Sequence, residues 1–162
     1  MAAQTTYGYG TPKGVPGGLY DISCHEVNTR MNEEEDGKLG FGVGVVQGTS
    51  KGHTVKLPVA VSTADLFEGV TIYGVTTEYD MSGKVVIRKD TTVGVVRTGK
   101  VWAKVAAGIT PAYNDKLYMI TDGPEAGYFT NASGATTIEI KGKFIGEADN
   151  GIAPVLLPDE VN

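Results

Sequence analysis

The chain has 162 residues and sets 14 Lys+Arg against 19 Asp+Glu, and the resulting net charge of −5 provides no general basic surface to neutralise a phosphate backbone. Its apolar uncharged runs, such as Leu57 to Ala64, fall short of the roughly 18 to 20 apolar residues of a membrane-spanning helix. A single cysteine, Cys24, rules out an intrachain disulfide framework, while 23 glycines, about twice the ordinary proportion, call for many turns and bends.

Residues 1–20 are expected to form an extended arm. Five glycines with Pro12 and Pro16 disfavour both helix and ladder, yet Tyr7, Tyr9, Val15 and Leu19 gain by docking on a surface. The segment has no apolar core of the kind a secretory signal needs, so synthesis in a cytoplasm is expected. Asp21 to Glu35 is the one candidate helix. Ser23 and Glu26 have capping-box spacing and Ile22 and Val27 the spacing of a hydrophobic staple. Against a helix, Glu33, Glu34, Glu35 and Asp36 would stack negative charge on the negative end of its dipole.

Strands are expected from Gly37 onward. Gly40 to Val46, His53 to Val61 and Gly69 to Thr76 alternate, Pro58 marks an edge or bend, and Ser82-Gly83 turns the chain into Lys84 to Lys89. The run Thr92 to Val105 alternates in two registers that change over at Gly99: Val93 and Val95 share a face before it, and Val101, Ala103 and Val105 share one after it. Period-two alternation broken by one glycine predicts a bent, half-buried strand. Lys116 to Thr121, Gly127 to Thr130, Thr136 to Gly146 and Ile152 to Leu157 follow, with Asn150-Gly151 as a tight hairpin signal and Pro154 placing the last strand at an edge. The expected fold is all-β: an antiparallel β-sandwich or barrel of about nine strands over residues 21–162, one domain, with a flexible N-terminal arm.

Reaction chemistry is not evident. Cys24-His25-Glu26 with the distant His53 lacks the paired spacing of a zinc site, the glycines of 40–44 lack a following helix and a Lys-Ser/Thr pair, and no nucleophile elbow occurs. The expectation is therefore no catalytic, cofactor or metal site. Trp102 shares a strand face with Lys100 and Lys104 and reads either as an exposed interface anchor or, if a bulge reverses the face, as a core tryptophan.

Taken in order, several motifs resemble those of the structural cement, or head decoration, proteins of tailed bacteriophages. They are Pro16-Gly17-Gly18 followed by Asp21, Phe41-Gly42, Phe67-Glu68-Gly69-Val70 followed by Tyr73, Gly83, the stretch Val96 to Ala103, Pro111 to Asp115, Gly127-Tyr128-Phe129, and the closing Gly146 to Leu157. The acidic run Glu33 to Asp36 and the Gly/Tyr-rich first ten residues depart from that pattern. The resemblance implies a virion protein on the outer capsid surface that clamps neighbouring major capsid protein subunits. It also implies assembly with itself as a homotrimer or homodimer, and no nucleic-acid or membrane partner. Tyr7, Tyr9, Pro12, Val15, Leu19 and Trp102 are the candidate capsid or subunit interface. Two other readings stay open: a receptor- or glycan-binding β-module, and a trimeric hydrolase with its site at subunit boundaries, for which Asp65, Asp80 and Asp115 are the residues to substitute.

Overall fold

A computed structural model describes residues 13–74 and 78–158. In chain order the strands are β1 (Glu26–Asn32), β2 (Gly44–Gln47), β3 (Thr54–Lys56), β4 (Phe67–Thr71), β5 (Glu78–Tyr79), β6 (Val85–Val86), β7 (Thr92–Lys104), β8 (Lys116–Ile120), β9 (Phe129–Thr130), β10 (Thr137–Phe144) and β11 (Ile152–Leu157). Among the described residues there is no α-helix, only a 3₁₀ turn at Ala64–Leu66, and so none long and apolar enough to cross a membrane. The fold is all-β, as expected.

The long strand β7 organises everything else. Its first half pairs antiparallel with β1 (Glu26↔Thr98 to Met31↔Thr92) and with β4 (Val70↔Val96), while its second half pairs with β11 (Leu157↔Gly99 to Ile152↔Lys104). The change of partner falls at Gly99, whose φ of +120 is open only to glycine at low cost. The alternation read from sequence is realised there. Val93 and Val95 enter one apolar core with Leu39, Val45 and Val55, whereas Val101, Ala103 and Val105 enter a second with Leu117, Phe129 and Phe144.

Two closed rings share this strand. The order β1-β3-β2-β4-β7 closes because β7 pairs back to β1, and β7-β11-β10-β8-β9 closes through a bridge from Phe129 to Val105. Closure leaves little free sheet edge, chiefly the Lys100 to Trp102 side of β7, and stiffens the scaffold. One pair departs from the antiparallel expectation: β1 and β3 run parallel, with Met31 opposite Thr54.

Three sequence expectations need correction. The candidate helix is instead β1, because pairing of six residues, Glu26 to Met31, with β7 outweighs weak local capping signals. The acidic run that opposed a helix serves as acceptors for loops: Glu33 accepts from Thr49 N–H (2.7 Å), Glu34 from Leu57 N–H (3.1 Å) and Asp36 from Lys89 N–H (2.8 Å). Strand starts also shift, since Gly40 to Val43 is turn ahead of β2, and β4 begins at Phe67 and ends at Thr71.

Pro154 does not mark an edge, for β11 lies between β7 and β10. Its carbonyl accepts from Ile145 N–H (3.0 Å), and in an antiparallel strand the N–H of a residue points the same way, so the missing donor faces Ile145, beyond the end of β10. Gly146 leaves room for the ring, since a Cβ there would stand 2.8 Å from Pro154 Cγ. The Asn150-Gly151 signal holds: φ values of +52 and +77 make the primed turn that matches strand twist, bringing Asp149 opposite Ile152.

Candidate interaction surface

The segment from Gly17 to Tyr20 is laid antiparallel along the second half of β7, on the edge opposite β11. Gly17 N–H donates to Trp102 O (2.7 Å), Trp102 N–H to Gly18 O (2.8 Å) and Tyr20 N–H to Lys100 O (3.0 Å), with Leu19 opposite Val101. Tyr73 N–H, just past β4, donates to Gly17 O (2.9 Å). At Gly17 the backbone has φ +77, and a Cβ would lie 2.6 Å from both Thr71 O and Tyr73 N. Only glycine fits this crossing.

Trp102 lies beneath that segment. It is 6% exposed, the Tyr20 ring stands 5.5 Å away centroid to centroid, and a Cβ on Gly14 would fall 2.4 Å from the indole. The exposed-anchor reading of Trp102 is thus replaced by the buried one, and the cover comes from the chain's own arm. The face shared with Lys100 and Lys104 is the covered face of the strand.

Val15 and Leu19 remain outward, as do Tyr20 and the fully exposed Ile22. The structure therefore brings Val15, Leu19 and Trp102 together, with Trp102 inside and the other two outside. Tyr7, Tyr9 and Pro12 lie outside the described residues. Sequence reasoning missed Tyr20 and Ile22; Tyr20 adjoins the chosen Leu19, and Ile22 follows it across Asp21.

Polar contacts fasten the turn that joins the arm to β1. Lys100 Nζ stands 2.6 Å from Asp21 Oδ2, Ser23 N–H donates to Asp21 Oδ1 (2.9 Å), and His25 Nε2 lies 3.0 Å from Lys100 O. The Lys100 contact, followed by the Ser23 hydroxyl and amide, holds the Asp21 carboxyl well below the usual carboxylate range, and the same Asp21 contact raises Lys100.

One charge is buried in the first ring. Glu68 on β4, 1% exposed, receives Arg30 of β1 (Nε 2.8 Å, Nη2 2.5 Å), Arg97 of β7 (Nη1 3.5 Å) and the Gln47 amide of β2. Four strands are tied through a single carboxylate. Leaving it unpartnered would be costly, which fixes their relative positions.

The aspartates named for a hydrolase do not converge. Asp65 belongs to the 3₁₀ turn, Asp80 accepts from Ser82 and Lys84 N–H inside the β5–β6 hairpin, and Asp115 accepts from Ala112 N–H and Asn131 Nδ2 ahead of β8. The Ser82 hydroxyl (2.6 Å), and then these N–H donors, lower Asp80 below the ordinary range, and Ala112 N–H with the Asn131 amide lowers Asp115, as turn-forming carboxylates should be. Among the described residues no three His, Cys, Asp or Glu side chains gather as metal ligands, and Cys24 is an exposed free thiol.

Comparison with known proteins places this geometry. A family sequence model described as structural cement protein (E217 gp24/Pam3 gp6) matches residues 3–157. Among solved structures, a chain from "The capsid of Myoviridae Phage XM1" superposes with a TM-score of 0.77 at 22% identity, covering 98% of this chain and 99% of that chain. At that identity the likeness is one of fold. No curated protein matches the chain.

Proposed function

The chain belongs to the phage structural cement protein family, and from that premise we propose that it binds the outer face of an icosahedral capsid and clamps neighbouring major capsid protein subunits. It is a structural protein of the virion, and in this reading it performs no catalysis, is made in the host cytoplasm and acts as a homotrimer or homodimer. Residues 1–20 are the reaching arm and 21–162 the bracket.

The observation that carries this reading is the seat of the arm. Backbone hydrogen bonds from Gly17 to Tyr20 fix its root on β7, so the apolar Val15, Leu19, Tyr20 and Ile22 are presented outward from a rigid base. Rigidity limits the freedom lost on binding, and a second point of attachment raises retention through effective concentration. Tyr7 and Tyr9, nearer the start of the sequence, are the proposed contacts for an adjoining subunit. The glycan-binding alternative drew on Trp102 and the eight tyrosines, and burial of that indole removes the first of these motives.

The test compares particles with and without the protein under heating and low salt. Particles carrying it are expected to withstand a higher temperature, and a chain lacking residues 1–12 is expected to melt as the full chain does yet be retained less. Equal particle stability, with the protein absent from the shell, overturns the proposal.

A further inference from the structure

A groove of about 400 Å³ opens where the arm, the two rings and the β5–β6 hairpin meet. Three lysines line it, Lys38 from the turn before β2, Lys84 from the hairpin and Lys104 from the end of β7, and the lining holds no Asp or Glu. That is unusual in a chain with 19 acidic residues against 14 basic. Among the described residues, ion pairs engage Arg30, Arg88, Arg97, Lys100 and Lys116, and none of these three lysines has a carboxylate within pairing distance. Lys104 Nζ sits 5.5 Å over the Tyr128 ring, while Lys84 acts on Asp80 only weakly from across the hairpin turn.

Between the lysines the surface is apolar, made by Phe41, Leu57, Val85 and Tyr128. Like charges gathered beside an apolar floor repel one another until an anion arrives, and the floor gives nothing to a small hydrated ion. A polynucleotide, charged at every phosphate, would meet more repulsion from the rest of an acidic protein than a peptide with spaced carboxylates. The fit is to an extended peptide with carboxylates at intervals and apolar side chains between them.

Building on the cement reading, we propose that this groove is the docking site for an extended acidic segment of the capsid shell protein. Its carboxylates meet Lys38, Lys84 and Lys104, and its apolar side chains rest on Phe41, Leu57 and Tyr128. Pro16 forms part of the wall, so an occupant also presses on the root of the arm and couples the two attachments.

The test uses the full chain carrying Lys38→Ser, Lys84→Ser and Lys104→Ser together, against a control of equal charge change, Lys51→Ser, Lys89→Ser and Lys141→Ser. Retention on particles is expected to fall about tenfold in the groove variant relative to the control, from three exposed pairs at roughly two- to threefold each. Retention equal to the control overturns the proposal. If the wild-type chain does not bind particles, the cement reading fails, and amide shifts on titration with the peptide Glu-Glu-Pro-Tyr-Glu-Glu decide the groove by themselves. Shifts centred on the three lysines, absent with Lys-Lys-Pro-Tyr-Lys-Lys, support it; no shift there, or equal shifts with both peptides or with a single-stranded oligonucleotide, overturns it.

Discussion

Replacing Gly17 by alanine should undock the arm while leaving both rings folded. The residue has φ +77, a conformation that costs an L-residue roughly 1–2 kcal/mol, and its new Cβ would stand 2.6 Å from two backbone atoms, Thr71 O and Tyr73 N. Backbone cannot rotate aside as a side chain tip can, and overpacking of this kind adds about 1–3 kcal/mol. The arm is held by four backbone hydrogen bonds, those of Gly17, Trp102 and Tyr20 with β7 and its flank and that of Tyr73, each contributing about 1 kcal/mol net. A penalty of about 2–5 kcal/mol is therefore comparable with the hold itself, and shifts the docked-to-undocked ratio by a factor on the order of 30 to 5,000. Trp102 is the only tryptophan in the chain, so its emission reports on the arm alone. The Gly17→Ala protein should show red-shifted emission and greater acrylamide quenching. Gly83→Ala is the control: φ is +78 there too, but nothing lies within 4 Å of the added methyl group. Its melting point should fall slightly with no change in emission. Wild-type emission and quenching in Gly17→Ala would refute the proposed seating of the arm.

Glu68→Gln should lower stability by about 3 kcal/mol, because Arg30 and Arg97 lose the carboxylate they share in a largely buried site. For a chain of this size calorimetry should then record a melting point roughly 6–12 °C lower, and an unchanged one would contradict a tie across four strands. In acid, the depressed carboxyls of Asp21, Glu33, Asp80 and Asp115 contribute stability that is complete above their unfolded values near 4. That contribution is lost as pH falls toward the lower folded values. Melting points should therefore hold level from neutrality to about pH 5 and decline below about 4, with a shallower decline in Asp21→Asn; an identical acid limb in the variant would count against the Asp21–Lys100 pairing. Deleting residues 1–18, in contrast to 1–12, should cost stability and expose Trp102 to quencher, and a deletion that melts like the full chain would show that Gly17 and Gly18 are dispensable.

The sequence carried the local physics well and the long-range closures poorly. Alternation about Gly99 was visible because strand faces are a period-two property of neighbouring residues, and the Asn150-Gly151 turn because its backbone conformation belongs to those two residues. Sequence left Trp102 open between an exposed anchor and a core residue, and what covers it was not visible, since the cover comes from residues some eighty positions earlier. Pro154 misled because the edge rule supposes a donor needed along the whole strand, whereas the ladder beside it has already ended. The β1 segment looked helical at its start because capping signals act within one turn, while the competing pairing with β7 lies about seventy residues away. Neither the Glu68 network nor the lysine groove has any linear signature, as each assembles side chains from separate strands and loops.

Stiffness and adhesion meet in one strand: β7 belongs to both rings, receives the arm along one edge and ends at the groove. Image reconstruction of intact particles tests the clamping role most directly. The expected density lies outside the shell, one copy of this chain touching two neighbouring shell subunits, with its arm on one of them. Density confined to a single subunit, or none on the outer surface, would contradict it.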